Sequence, residues 1–236
     1  MSYDASQSLK IGITQGCREY PDRNEIRDEL DQNWTVIADS INAQLIPIPN
    51  KLHNPMAWIE SLNLDGIILS GGGDYFQAPN DLNFYADKAL ESLSAQELRC
   101  RTEASAITLA KKKNLKLLGI CRGMQLINSN QGGKIQPIKN HVGLSHKIEF
   151  TSNIRSLNAK LPSIVNSFHE YGILDSHLGE NLIAVAMSGD YVEMFVDDSL
   201  RVLGIMWHPE RSADTDVSCQ ELLLKFFNSN LYFLTT

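Results

Sequence analysis

The chain has 236 residues, 43% hydrophobic and 21% charged, which suits one large globular domain with a sizeable core. Its formal net charge of −7 argues against nucleic acids and anionic membranes as partners, because both bind basic surfaces. The polar N-terminus resembles no signal peptide and no run of about 18 apolar residues is present, so we expect a cytoplasmic protein that does not span a membrane.

Short apolar runs alternate with helical patterns in the first half of the chain. Strands are predicted at Leu9–Thr14, Gln44–Ile48, Asp65–Ser70 and Leu117–Ile120, and a helix at about Ala95–Lys113. A further helix is predicted from apolar residues that recur every three or four positions, namely Ile26, Leu30, Trp34, Ile37 and Ile41. Residues 74–94 are polar and irregular, which indicates a surface loop. Such alternation is typical of a parallel sheet covered by helices.

The second half of the chain carries more closely spaced strands. They are predicted at Lys147–Phe150, Ser163–Phe168, Leu182–Met187, Tyr191–Val196 and Val202–Trp207, before a helix at about Ser218–Asn228. The two-residue link Gly189-Asp190 predicts a hairpin. We therefore expect a single α/β domain over residues 1–236, with a mainly parallel sheet and an antiparallel extension. Ligands of such sheets bind at the carboxyl ends of the strands.

Cys121 has the sequence context of a catalytic nucleophile. An apolar strand leads into it, a helical pattern follows, and Gly119 and Gly123 flank it in the spacing of a nucleophile elbow. The helix N-terminus favours the reactive thiolate, and the Arg122 N–H group would face the oxyanion of the intermediate. The alternative is a buried structural cysteine. The remaining cysteines form no CxxC pair and are predicted to be free structural thiols: Cys17, Cys100 and Cys219.

His208 is the histidine best placed to act as the base. It follows a predicted strand in the sequence Trp-His-Pro-Glu, and residues i and i+2 of an extended chain share a face. Glu210 can therefore reach the His208 ring and fix its tautomer. Pro209 favours the extended conformation at His208 that this needs. The alternative is a surface turn.

Three consecutive glycines, Gly71 to Gly73, follow the third predicted strand. They predict a second oxyanion donor, because glycine lets backbone N–H groups approach a substrate closely. The alternative is a plain flexible turn, and no phosphate-binding G-x-x-x-x-G-K-[ST] motif is present.

The other histidines carry weaker signals. His141, His146 and His169 suggest a metal site, but they lack the helical H-x-x-x-H spacing, so we predict no metal and no cofactor. His169 stands at a strand end and is expected to line the cleft. His53 and His177 are expected at the surface.

Five motifs occur in the order of one known family. They are S-G-G-G at 70–73, G-I-C-R-G-M-Q at 119–125, V-N-S-F-H at 165–169, V-E at 192–193 and W-H-P-E at 207–210. Together they resemble the class I glutamine amidotransferase fold, which is flavodoxin-like, and within it the stand-alone γ-glutamyl hydrolase branch, peptidase family C26. The resemblance covers nearly the whole chain.

This resemblance implies a cysteine-dependent hydrolase that cleaves a γ-glutamyl amide and releases glutamate. It implies a triad of Cys121, His208 and Glu210, and an oxyanion hole formed by the backbone N–H groups of Gly72 and Arg122. It also implies that Gln125, Asn166 and Ser167 hold the glutamyl moiety, with Glu193 at the family's V-E position. The further substrate-binding candidates are Gly71, Gly73 and His169.

A narrower resemblance is to the γ-glutamyl-CDP-amidate hydrolases. It rests on residues 25–34, 139–146, 165–171 and 204–211. Such enzymes leave cytidine diphosphoramidate, which serves phosphoramidate decoration of bacterial surface polysaccharides. The anionic leaving group would need cations, and the candidates are Arg18, Arg23, Arg27 and Arg122. The alternative for these arginines is a solvated charged face.

Other functions share the same triad. They are a γ-glutamyl-aminobutyrate or polyamine-type hydrolase, a glutaminase subunit that delivers ammonia to a partner synthetase, and a non-catalytic binding protein on this fold. The expected partner is a small γ-glutamyl molecule, nucleotide-linked in the narrower assignment, and a homodimer is left open.

Overall fold

The computed structural model describes residues 8–73, 88–151, 154–212, 217–229 and 231–235. Its strands are β1 Leu9–Thr14, β2 Gly16–Tyr20, β3 Glu25–Glu29, β4 Ala43–Ile48, β5 Gly66–Leu69, β6 Lys116–Ile120, β7 Gln136–Pro137, β8 Val142–Lys147, β9 Glu149–Phe150, β10 Ile154–Leu157, β11 Ile164–Phe168, β12 Tyr171–Gly172, β13 Leu182–Ser188, β14 Tyr191–Asp197, β15 Val202–Ile205 and β16 Phe233–Thr235. Its α-helices are α1 Trp34–Ser40, α2 Pro55–Ser61, α3 Ala95–Lys113, α4 Arg122–Asn130 and α5 Val217–Phe227.

The central sheet has eight strands in the order β4-β1-β5-β6-β15-β14-β13-β9. The first five run parallel to one another. The last three pair antiparallel, and β13 and β14 are joined through Gly189 and Asp190 as a hairpin. The predicted mainly parallel sheet with an antiparallel extension is confirmed, and so is the hairpin.

Helices flank the sheet in two pairs, α2 with α3 and α1 with α5. Every residue of β5 and β6 is buried. Because successive side chains of a strand point to opposite faces, burial of a whole strand means that both faces of the sheet are covered there. The site residues described below follow these central strands.

The helix predicted from Ile26 to Ile41 is wrong in its first half. The structure has an antiparallel β2–β3 hairpin there, and α1 begins only at Trp34. Ile26 lies in β3 with 49% of its surface exposed. Asn24 adopts a left-handed φ of 50°, which turns the chain between the two strands. Asp31 then accepts the Asn33 N–H at 2.8 Å in a turn directly before the helix.

Two other predicted segments need a more precise description. In the predicted loop 74–94, positions 74–87 lie outside the described residues, and a short 3-10 helix occupies Leu90–Ser92. The strand predicted at Ser163–Phe168 exists as β11, but it pairs with β8 in a separate two-stranded ribbon.

The cysteines at positions 17, 100, 121 and 219 form no disulfide with any described residue, as predicted. Within the described residues, no helix combines the length and apolar character needed to cross a membrane.

Candidate active site

Cys121 lies at a sharp turn between β6 and α4. Its backbone has φ 48° and ψ −102°, which is strained for any residue other than glycine. A Cβ atom added to Gly119 would lie 2.7 Å from the Gly123 backbone, and one added to Gly123 would collide with Leu69. The two flanking glycines therefore permit the close approach of strand and helix that an elbow requires. Cys121 lines a cavity of about 240 Å³.

His208 and Glu210 stand beside Cys121 at the end of β15. The His208 Nδ1 atom lies 2.6 Å from Glu210 Oε1, and both side chains are almost fully buried. Cys121 and His208 line the same cavity. Burial alone would lower the pKa of His208, but the interactions with Cys121 and Glu210 outweigh it and raise this pKa to about 9. The structure thus brings the three predicted triad residues together.

Asn166 holds the backbone of His208. Its Oδ1 atom accepts the His208 N–H at 2.9 Å, and its Nδ2 group donates to the His208 carbonyl at 2.8 Å. Ser167 is fully buried and its hydroxyl donates to the His141 carbonyl. Both residues were predicted to hold a glutamyl group. In the structure their side chains make internal hydrogen bonds instead, because β11 packs against the turn that carries His208.

The glycine loop after β5 packs directly against His208. A Cβ atom on Gly71 would lie 2.5 Å from Cε1 of the His208 ring, and Gly72 and Gly73 have φ values of 85° and 74°. The buried Arg99 guanidinium donates to the carbonyls of Ser70, Gly71 and Gly72 at 2.8, 2.9 and 2.5 Å. Because C=O and the next N–H point in opposite directions across a trans peptide, the N–H groups of Gly72 and Gly73 are directed away from Arg99.

A buried ion-pair network connects this glycine loop to the cysteine elbow. Glu103 accepts from Arg99 at 2.7 Å through one carboxylate oxygen and from Arg122 at 3.1 Å through the other. The Arg122 side chain also donates to the Cys100 sulfur. Burial alone would lower the pKa of Arg122, but Glu103 and Cys100 outweigh it and raise this pKa.

The prediction of Arg122 as a side-chain cation for the leaving group is therefore wrong, because its guanidinium is committed to α3. Its backbone N–H remains at the first position of α4, next to Cys121. Arg99 and Glu103 were missed in the sequence. The available signal was a pair of opposite charges at i and i+4 on the otherwise apolar stripe of a helix.

A second cavity, of about 350 Å³, adjoins the first. Gly72, Gly73, His208 and Arg211 line both cavities. The Arg211 guanidinium stacks over the Phe168 ring at 4.0 Å from its centre. Arg211 was not predicted as a site residue, although its charge and its position next to Glu210 were a usable signal.

The arginines predicted for the leaving group lie on the exposed side of the β2–β3 hairpin. Arg18 pairs with Glu29 at 3.9 Å and Arg27 with Glu25 at 2.5 Å, and Arg23 is an exposed residue of the turn between the strands. Among the described residues that line the two cavities, the hairpin contributes Gly16, Cys17 and Glu29 but none of these three arginines.

Gln125, His169 and Glu193 occupy three different environments. Gln125 lines the smaller cavity and donates to the Tyr171 carbonyl at 3.0 Å. His169 lines the same cavity, and burial lowers its pKa. Glu193 is 1% exposed and lies behind His169, with 3.8 Å between His169 Nε2 and Glu193 Oε1.

Comparison with known proteins assigns a family. The Peptidase C26 family model matches residues 11–210. The chain is 31% identical over 203 residues to a protein named gamma-glutamyl-CDP-amidate hydrolase from Campylobacter jejuni subsp. jejuni, covering 85% of this chain and 90% of that one. These two matches support a hydrolase.

Solved structures show the same fold at lower identity. A putative GMP synthase protein from Thermoplasma acidophilum has a TM-score of 0.61 at 19% identity and covers 94% of each chain. A glutamine amidotransferase from Thermotoga maritima has a TM-score of 0.58 at 15% identity and covers 94% of this chain and 97% of that one. The fold is therefore that of the class I glutamine amidotransferases, and by its family match and its 31% identical relative the chain belongs to the peptidase C26 family.

Proposed function

We propose that this protein hydrolyses a γ-glutamyl amide bond, with Cys121 as the nucleophile, His208 as the general base and acid, and Glu210 as the group that orients His208. The observation that carries the proposal is the strained Cys121, which shares a cavity with a buried histidine whose Nδ1 lies 2.6 Å from a carboxylate oxygen. The relative named gamma-glutamyl-CDP-amidate hydrolase supports the choice of bond.

The reaction follows from the charges of these groups. The Cys121 thiolate attacks the γ-carbonyl carbon, and the N–H groups of Gly72 and Arg122 stabilise the resulting oxyanion. His208 donates its proton to the amide nitrogen as the C–N bond breaks, which leaves a γ-glutamyl thioester on Cys121. Water, deprotonated by His208, then attacks the thioester carbonyl, and cleavage of the C–S bond releases glutamate and restores the Cys121 thiolate beside protonated His208.

The proposed substrate is γ-glutamyl-CDP-amidate. The smaller cavity, with Cys121 and Gln125, would bind the glutamyl group. The larger cavity, on the other side of the glycine loop, would bind the leaving group. Arg211 lines both cavities and would supply a cation for a diphosphate. The product would be cytidine diphosphoramidate, formed in the cytoplasm for phosphoramidate decoration of surface polysaccharides.

Mass spectrometry of the products from a panel of substrates tests the proposal. The panel contains γ-glutamyl-CDP-amidate, γ-glutamyl-aminobutyrate and glutamine. We expect the fastest glutamate release from the nucleotide substrate, and a loss on the order of 10⁴-fold or more in Cys121→Ser, because the nucleophile acts as one unit with its base. Cys219→Ala is the matched control, since Cys219 is buried in α5 away from both cavities.

Each alternative gives a different result. Undiminished turnover by Cys121→Ser would contradict the chemistry itself. Cleavage of the small amide with the nucleotide substrate untouched would retain the chemistry and reject the leaving group. Glutamine hydrolysis that appears only with a co-purified synthetase would indicate a glutaminase subunit.

A further inference from the structure

Three histidines and a glutamate converge behind the wall of the Cys121 cavity. His141, His169 and Glu193 each offer one ligand atom, and these atoms all lie within 4.8 Å of one another. His146 completes the group, with its Nε2 atom 3.3 Å from Glu193 Oε2. Pairing of β8 with β11 places His146 opposite Val165, four residues before His169, and so joins positions that are distant in sequence. We call these four residues the histidine cluster.

The polar atoms of the histidine cluster face one another in a buried space. The Nε2 atoms of all three histidines and both carboxylate oxygens of Glu193 are buried, and none has a hydrogen-bond partner of acceptable geometry among the described residues. His169 is 3% exposed and Glu193 1%. Buried polar atoms are nearly always satisfied, so such a group indicates something bound between them.

The tautomers of two histidines can be assigned from their backbone contacts. His169 Nδ1 lies 3.0 Å from the Tyr171 carbonyl oxygen, and His141 Nδ1 lies 3.5 Å from that of Lys139. A carbonyl oxygen only accepts, so in each ring Nδ1 carries the hydrogen. The neutral ring then presents the lone pair of Nε2 to the carboxylate, which is repulsive unless a metal cation or a second ring proton lies between. Donation of the second ring N–H to a backbone carbonyl is also the usual arrangement of metal-binding histidines.

We propose that His141, His169 and Glu193 bind one divalent first-row transition-metal ion, while His146 holds the second oxygen of Glu193. Imidazole and carboxylate ligands suit Zn²⁺ and its neighbours, and three protein ligands leave a position for water. In a tetrahedral site, ligand atoms at about 2.1 Å from the ion lie about 3.4 Å apart, so an inward movement of up to about 1 Å for each ligand atom completes the site. The partly exposed His141 also lines a surface cavity of about 500 Å³, which gives an ion a path of entry.

The ion would brace the substrate cavity rather than take part in the chemistry. The Tyr171 carbonyl accepts hydrogen bonds from both His169 and Gln125, each at 3.0 Å. Ser167 on β11 donates to the His141 carbonyl. Fixing His141 and His169 on one ion would therefore fix Tyr171 and the cavity wall. This role does not depend on which reaction the cavity supports.

Metal titration of the full chain tests the site. The protein carries Cys121→Ser, which removes the catalytic thiolate as a competing ligand, and is dialysed against a chelator before titration with Zn²⁺. We expect one equivalent to bind and to raise Tm. In the same background His141→Ala should weaken binding by about 100-fold or more, since even partners of metal ligands contribute about 10- to 100-fold. His53→Ala, an exposed position, is the matched control.

Several results would overturn the proposal. One is equal Zn²⁺ affinity in His141→Ala and the control, and another is no binding with a Tm that the chelator leaves unchanged, which would indicate a cluster held by protons. Co²⁺ titration adds a third, since thiolate charge-transfer absorption would place the ion on a cysteine. If His141→Ala does not fold by circular dichroism, His141→Gln replaces it, because it keeps the size and polarity but loses the imidazole ligand.

Discussion

His208 is held from three directions by different parts of the chain. Glu210 binds its ring, Asn166 binds both of its backbone groups, and Gly71 packs against the face of the ring. Together these contacts fix the position and the orientation of the ring. A base that is fixed in this way needs no reorganisation when the thiol gives up its proton.

The first prediction concerns the pH dependence of the reaction. The pKa of His208 is raised to about 9, so the protonated ring that must give its proton to the leaving group persists at neutral pH and is lost as the pH rises through about 9. We expect kcat/KM to fall over that range. In Glu210→Gln the pKa of His208 should drop, so the fall of kcat/KM, which is the basic limb of the pH profile, should move to lower pH. The kcat value should also fall by about 10²- to 10⁴-fold. A pH profile of kcat/KM for both proteins measures this. An unmoved limb in the variant would show that Glu210 does not set the pKa.

The second prediction concerns Arg99, which acts through the glycine loop as a positioning residue. Arg99→Met releases the three loop carbonyls, while Glu103 keeps Arg122 as its partner. Because oxyanion donors act on the transition state, kcat should fall by about 10²-fold or more with KM little changed. Steady-state kinetics measure kcat and KM separately and so test this expectation. Arg99→Lys is the control for charge, and a variant that loses only Tm, with kcat intact, would make the role of Arg99 purely structural.

At the scale of elements, the sequence predicted the parts of the fold where periodicity and burial agree. The central strands β1, β5, β6 and β15 were found because apolar runs of this kind are buried on both faces of a parallel sheet. The β2–β3 hairpin was missed because Ile26 and Leu30 happen to continue the helical spacing of α1. The hairpin is short and polar, and the left-handed Asn24 that makes its turn is not recognisable from a single residue type.

The candidate site was predictable only where its residues are close in sequence. The elbow at Cys121 and the pair His208 and Glu210 are local motifs, and each lies directly after a strand. The clamp by Asn166 and the histidine cluster depend on how the β8–β11 ribbon packs against the main sheet. A search for helical metal-binding spacing could not find ligands that lie at the ends of two ribbon strands and in β14.

At the scale of the whole molecule, one contiguous hydrophobic cluster joins the parallel and antiparallel parts of the sheet. It includes Ile11 of β1, Val185 of β13 and Phe226 of α5. The third prediction is therefore a single cooperative unfolding transition in urea. Far-UV circular dichroism and tryptophan fluorescence should give the same midpoint.

Two variants make this test specific to different parts of the sheet. Trp34 of α1 and Trp207 after β15 are both buried. Trp34→Phe and Trp207→Phe each remove one of these two fluorescent probes, so the remaining signal reports on a different part of the core in each variant. Coincident midpoints in both variants agree with one domain over residues 1–236. Two separated transitions would contradict that expectation.

The β2–β3 hairpin places part of the larger cavity on a different element from the catalytic triad. It contributes Cys17 and Glu29 to the larger cavity. It is fastened to the body through Asp28, which accepts from the Asn50 amide at 2.8 Å, and through packing of β2 against α3. The triad stands on β6 and β15, which the hairpin does not touch in the sheet. Under the proposed function, exchange of residues 16–29 among relatives is a route by which new leaving groups can be acquired in evolution, or by grafting, without any change to the bond-breaking machinery.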